Sequence, residues 1–234
     1  MFIRSILVLI AAIFFAISPV FTPGFGGYDP SQFPVAIENP PAQPAGYAFS
    51  IWGIIYLWLI VMAGFGAWKR RDVAGWDATR LPLLGSLAIG AFWLAVAFVS
   101  PIWATVLIWA MLAGALMALL RTPAADLLLL RAPLGLYAGW LTAASAVSLG
   151  ILLPGYGIGP FGPEGWAIVA LSIALAITVA MQRARPSQMY GLAVFWALVA
   201  IYVQNGATVV GIFAIGAAIV VAALTLLRFK ASQR

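Results

Sequence analysis

The chain has 234 residues, 65% of them hydrophobic and 8% charged, with a formal net charge of +6 and a mean hydropathy of +1.08, a balance that excludes an ordinary soluble globular domain. Twelve Lys and Arg scattered along it are too dispersed to form a phosphate-backbone face, which excludes nucleic acid as a partner. With neither Cys nor His, disulfides, thiolate nucleophiles and the commonest metal ligands are excluded as well, and no metal site is expected.

A helix crossing a hydrocarbon core of roughly 30 Å needs about 20 mostly apolar residues. Eight stretches approach this: Ser5–Phe21, Ala48–Trp68, Leu83–Val99, Ile102–Leu120, Leu134–Leu153, Gly165–Met181, Met189–Gln204 and Ala207–Leu227. They predict an all-α, polytopic transmembrane bundle of about eight helices, with the lipid bilayer as its partner. The first stretch, with Arg4 before it and the small residues Ala16 and Ser18 near its end, also fits a secretory signal peptide. Pro19 directly after Ser18 argues against cleavage there, so it is read as an uncleaved helix.

The loop Thr22–Tyr47 follows, with five prolines from Pro23 to Pro41 and a sixth at Pro44, a composition that resists both helix and ladder. Its Phe21, Phe25, Tyr28 and Phe33 suit either a lid over the mouth of the bundle or a plain surface loop. Farther on, Ser100–Pro101 and Asn205–Gly206 are short enough to make two tight helical hairpins. Gly135 and Gly139 in the fifth span form a GxxxG that permits close helix approach, inside the bundle or in a homodimer. The run "PGYGIGPFGP" at 154–163 lacks a lysine and a preceding strand, so it reads as a turn and not as a phosphate cradle.

The charges test the count of spans. Arg4 precedes the first; Lys69, Arg70, Arg71 and Arg80 follow the second; Arg121 and Arg131 follow the fourth; Arg183 and Arg185 follow the sixth; Arg228, Lys230 and Arg234 end the chain. All twelve fall on one face, which places both termini in the cytoplasm if the positive-inside bias holds. The six carboxylates lie in loops or at span ends, so none is expected as a buried proton relay, and hydrolytic or acid–base catalysis is not expected.

Ten Trp are several-fold above ordinary usage. Trp68, Trp76 and Trp166, near span ends, are expected in the interfacial belt; Trp52, Trp93, Trp109, Trp140 and Trp196 lie deeper. Phe49, Trp52 and Tyr56 share one face of the second span, as Tyr137, Trp140 and Ser148 do in the fifth, with Ser145 nearby. Two such stripes suit either core packing or a pocket for a flat apolar molecule.

The proline-rich lead into "GYAFSIWGIIY" resembles the second-helix signature of the TspO/MBR family, the translocator or tryptophan-rich sensory proteins, with Phe49, Trp52 and Tyr56 at its Phe, second Trp and Tyr. "RAPLGLYAGWLTAASAVS" is similar to the family's fifth helix through Pro133, Tyr137 and Trp140. Tyr47 stands where a Trp is expected and Ser145 where an Asn is. The resemblance covers residues 1–153 and implies a five-helix bundle there, with 154–234 adding three helices as in a longer bacterial branch. It further implies a pocket lined by Tyr47, Phe49, Trp52, Tyr56, Tyr137, Trp140 and Ser145, with Trp93 and Trp103 added by position. The expected activity is that of a receptor or carrier in the bacterial cytoplasmic membrane for a planar hydrophobic ligand, a haem or other porphyrin or a sterol-like lipid, with no cofactor required. A permease for a neutral solute is the alternative.

Overall fold

The computed structural model describes residues 1–22 and 24–232, and of 229–232 only the backbone. Pro23 of the loop, the Lys230 side chain and Arg234 therefore lie outside the described residues. Eight helices follow in chain order: α1 Phe2–Ile17, α2 Ile51–Trp68, α3 Ala74–Ala97, α4 Pro101–Leu120, α5 Ala132–Gly155, α6 Pro163–Ala184, α7 Gln188–Asn205 and α8 Val209–Ser232. No strand occurs among the described residues. Seven helices are long and apolar enough to cross a membrane, and the chain is an integral membrane helix bundle. The exception is α7, bounded by Gln188 at one end and Gln204 and Asn205 at the other, polar ends that lower its mean hydropathy.

α5 is the central element. Of its most apolar stretch 72% is buried, against 33% for α1, α2, α6 and α8, and it packs on α4, α6 and α7 and more lightly on α2. Small residues permit this crowding. A Cβ at Gly139 would meet the Tyr190 carbonyl of α7, and one at Gly135 the Ser187 Oγ, so the GxxxG closes the α5–α7 contact within the bundle. α1 packs on α2 and α3, α3 on α4, and α8 on α6 and α7.

Local chemistry sets several helix ends. Ser100 caps α4, its Oγ accepting the Trp103 N–H at 3.4 Å with Pro101 at the first helical position. Ser187 caps α7 by accepting the Tyr190 N–H, also at 3.4 Å. Pro19 ends α1 at Ile17 and converts Ser18–Phe21 into a 3₁₀ turn, four residues short of the expected end.

The largest shift of a boundary is in α3, which begins at Ala74, not Leu83, and runs through Pro82. Tertiary packing overrides the proline: the Pro82 carbonyl lies where a Cβ on Gly114 of α4 would stand, 2.7 Å away. Arg80 is consequently helical and 3% exposed, not a loop cation. Its guanidinium donates to the carbonyls of Arg71 at 2.6 Å, Arg70 at 2.9 Å, Met1 at 3.2 Å and Gly66 at 3.3 Å, and to the Asp77 carboxylate at 3.1 Å. Three of those acceptors, the carbonyls of Gly66, Arg70 and Arg71, lie at or just past the C-terminus of α2, where carbonyls lack helical partners. A buried arginine persists because every face of it is met.

Arg4–Asp77 at 2.9 Å and Arg70–Asp126 at 2.9 Å tie together the start of α1, the end of α2, the start of α3 and the α4–α5 connection. Gln182 near the end of α6 bonds Thr225 of α8 at 3.1 Å. The helix ends that carry the described cations thus share one end of the bundle. Trp76 belongs to that end too. It is 3% exposed, packs on Gly66 and donates its indole N–H to Asp126 at 2.8 Å, so it is a structural anchor and not a belt residue. Trp68, 75% exposed with Lys69 over its ring, has the surroundings of a belt residue.

Candidate functional site

The loop of residues 18–50 covers the opposite end. It is pinned by Gln32 Nε2 to the Ala97 carbonyl at the end of α3, by the Val35 N–H to Gly155 at the end of α5, and by Asn205 Nδ2 of α7 to Pro41, at 2.9, 2.9 and 3.0 Å. The Ala45 N–H adds a bond to Ala200 of α7 at 3.1 Å. Asp29 caps the 3₁₀ turn Pro30–Gln32 by accepting the Ser31 N–H at 2.8 Å, and the Ser31 side chain, with that N–H after it, holds its carboxyl below the usual value. Prolines keep most of the strap out of regular structure, and bonds to α3, α5 and α7 hold it, three to their backbone carbonyls and one from the Asn205 side chain. It is a lid. Phe25, Tyr28 and Phe33 face the helices, whereas Phe21 is 80% exposed and has no part in it.

Beneath the strap lies a cavity of about 210 Å³. Phe49, Trp52, Tyr56, Trp93 and Trp140 line it, joined by Phe25 and Tyr28 from the loop. Trp52 and Tyr56, one helical turn apart, stack at 5.2 Å between centroids with 17° between planes. Trp140 of α5 meets Trp52 edge-on at 6.1 Å and Phe49 at 6.2 Å. Phe15 of α1 backs the pair with edges against Trp52 at 5.6 Å and Tyr56 at 5.0 Å. Edge-to-face and offset pairs are the favoured arrangements of aromatic quadrupoles, so the wall is rigid as well as apolar.

No charged residue lines the cavity; its polar members are Gln43, Ser148 and the phenols of Tyr28 and Tyr56. Burial pushes the Tyr28 phenol up to about 12, so it stays neutral. Thr105 lies nearby but makes no bond of ordinary geometry with it, and the hydroxyls of both residues are buried without partners. The Trp140 indole N–H is also buried and unpartnered. Trp93 and Trp196, by contrast, donate theirs to the Ala104 and Ala48 carbonyls at 2.8 and 3.1 Å. Buried donors are seldom left unmet, so Trp140 and Tyr28 are the groups at this site with bonding capacity in reserve.

Of nine candidate residues, the structure brings Phe49, Trp52, Tyr56, Trp93 and Trp140 to the cavity wall and leaves four off it. Tyr47 is 44% exposed and packs edge-on against Trp196. Trp103 is 63% exposed on the outside of α4, because its position one turn past the Ser100 cap turns it away from α5. Tyr137 is fully buried one turn below Trp140, behind Trp52, with its hydroxyl 2.8 Å from Ser86 Oγ. Ser145 donates to the Ile108 carbonyl at 3.2 Å and serves the α4–α5 contact.

Missing from the candidates were the strap residues Phe25, Tyr28 and Gln43, together with Ala143 and Ala144, whose small side chains leave the space. The loop aromatics suited a lid and a plain surface loop equally, and which of them reach inward depends on where the strap is pinned. Ser148 sat on the expected stripe and does line the cavity.

An all-helical membrane bundle enclosing an uncharged aromatic hollow has the architecture of a membrane ligand-binding protein. The chain belongs to the TSPO-like protein family, whose profile matches residues 3–227. The match runs through all eight helices, where the resemblance read from motifs covered residues 1–153. No curated protein and no solved structure matches the chain.

Proposed function

We propose that the protein is a receptor or carrier that takes a planar hydrophobic molecule from the bilayer, with porphyrins and sterol-like lipids as the candidate classes. The observation that carries this reading is that Trp52 and Trp140, from helices far apart in sequence, border one uncharged void under a pinned lid. Stacking on the Trp52–Tyr56 pair would supply most of the affinity, and the unpartnered Trp140 N–H and Tyr28 hydroxyl would orient a carbonyl or carboxylate edge.

At about 210 Å³ the cavity is smaller than the roughly 300–1,000 Å³ of drug-sized ligand sites. A whole tetrapyrrole therefore requires the strap to lift, whereas a smaller flat molecule fits beneath it. Tyr137 and Phe15, packed behind the lining residue Trp52, favour binding over passage through the bundle. The one-sided distribution of cations supports a cytoplasmic-membrane protein with both termini inside.

Titration of the purified protein with protoporphyrin should quench tryptophan emission saturably, the other indoles reporting when Trp52 or Trp140 is replaced. Trp52→Ala combined with Trp140→Ala should abolish the saturable phase. If neither tetrapyrroles nor sterols give saturable quenching or displace one another, the proposal fails.

A further inference from the structure

The cavity leaves the opposite end of the bundle without a role. There, Arg4, Arg70, Arg71 and Arg80 each have a carboxylate within 3.1 Å. Among the described residues, Lys69, Arg121, Arg131, Arg183, Arg185 and Arg228 have none, and of these Arg131 and Arg185 both bond the loop after α4. Arg131 closes the π turn Leu127–Arg131 that leads into α5; its Nη2 donates to the Pro123 carbonyl at 2.7 Å, and its Nε is buried with no partner. Arg185, the residue after α6, donates from Nε to the Thr122 hydroxyl at 3.2 Å and from Nη2 to the Thr122 carbonyl. Two guanidiniums therefore hold adjacent residues of one loop, Thr122 and Pro123. Asp126, the acid nearest Arg131 in the chain, is committed to Arg70 and to the Trp76 indole.

Pinning the loop explains one or two donors on each arginine. It does not explain two like charges side by side without an acid, nor an orphan buried N–H, an arrangement that is unfavourable unless an anion completes it. Guanidinium forks match the oxygens of a phosphate, and the cation-rich end of a membrane bundle is where an anionic headgroup arrives. The same π turn carries Leu127 and Leu128, 56% and 68% exposed, surface on which acyl chains can lie.

We propose that Arg131 and Arg185 form a binding site for a phosphate group at the junction of the α4–α5 loop and the end of α6, supplied by an anionic phospholipid headgroup or by free phosphate. The test is native mass spectrometry of the full chain in neutral detergent with phosphatidylglycerol, phosphatidylcholine or inorganic phosphate, alongside thermal unfolding with each. One phosphatidylglycerol should be retained at least tenfold more tightly than phosphatidylcholine and should raise the unfolding temperature. The double variant Arg131→Gln, Arg185→Gln should lose that preference, while Arg121→Gln, which removes an exposed cation nearby, should keep it.

Binding of phosphatidylglycerol without inorganic phosphate would identify the headgroup as the source, and saturable phosphate binding lost in the double variant would identify the free anion. Equal retention of both lipids with no phosphate binding overturns the proposal, as does a preference that survives in the double variant. Should that variant not fold, Arg131→Lys and Arg185→Lys retain the charge without the fork. Each should weaken binding several-fold, and unchanged affinity in both would equally overturn the site.

Discussion

The two ends of the bundle solve opposite problems with the same helices. At the basic end, chain ends and loops are drawn together by arginines whose donors meet carbonyls and carboxylates, and Arg80 alone gathers five acceptor residues into a space 3% exposed. At the other end no ion pair bears on the cavity; the strap is held at its margins by backbone and amide bonds, and rings set edge to face keep the middle open. Directional bonds to charged groups fill space, whereas large flat side chains braced by one another can leave it unfilled.

Replacing Arg80 breaks that contrast most severely. Arg80→Ala strands the carbonyls of Gly66, Arg70 and Arg71 and leaves Asp77 to Arg4 alone, and should cost roughly 3–5 kcal/mol in reversible unfolding measured in detergent. Gly139→Ala, which drives a Cβ into the Tyr190 carbonyl, should cost about 1–3 kcal/mol by prising α5 from α7. Trp140→Ala should cost less than the roughly 3–5 kcal/mol expected of a packed tryptophan, because one side of its ring already faces a void. It should nevertheless weaken ligand binding tenfold or more by fluorescence titration, so stability and binding should separate at this residue and move together at Gly139.

A pH series tests the basic end alone. The Arg70 guanidinium, and after it the Trp76 indole, hold the Asp126 carboxyl below its ordinary 3.8. Its contribution is therefore complete above that pH and is lost as pH falls through the lower folded value. Asp126→Asn should remove this acid-sensitive step from the melting temperature while leaving ligand affinity at neutral pH unchanged. The smallest effect belongs to Trp103→Ala. With the ring 63% exposed on α4, stability should change by less than about 0.5 kcal/mol and ligand binding not at all; a large loss of binding there would contradict the placement of the cavity.

Much of this architecture was legible in one dimension. Apolar length located all eight helices, and the cations marked which of their ends lie together, because both properties accumulate along the chain without reference to neighbours. The stripe of Phe49, Trp52 and Tyr56 was legible for a similar reason, since helical periodicity places one turn above another whatever lies opposite. The reading went astray where a neighbour decided the outcome. The third span was expected to begin at Leu83, yet close packing against Gly114 carries α3 back through Pro82 to Ala74 and turns Arg80 from a loop cation into a buried clasp. Trp76 was placed in the lipid belt by its position near a span end, but Asp126 draws its indole inside.

The sequence by itself determined that this is a membrane bundle, how many times the chain turns, and which helix faces carry rings, all of which follow from local hydrophobicity and a fixed helical repeat. Only the tertiary structure decided that Trp140 borders the void while Tyr137 lies beneath it, that Trp103 faces away, and that Phe25 and Tyr28 close the mouth from a strap tens of residues distant. The rotation of each helix about its own axis, and the anchoring of a proline-rich strap, depend on which small residues let neighbours approach and which carbonyls remain to be bonded. Those quantities exist only once the helices have met.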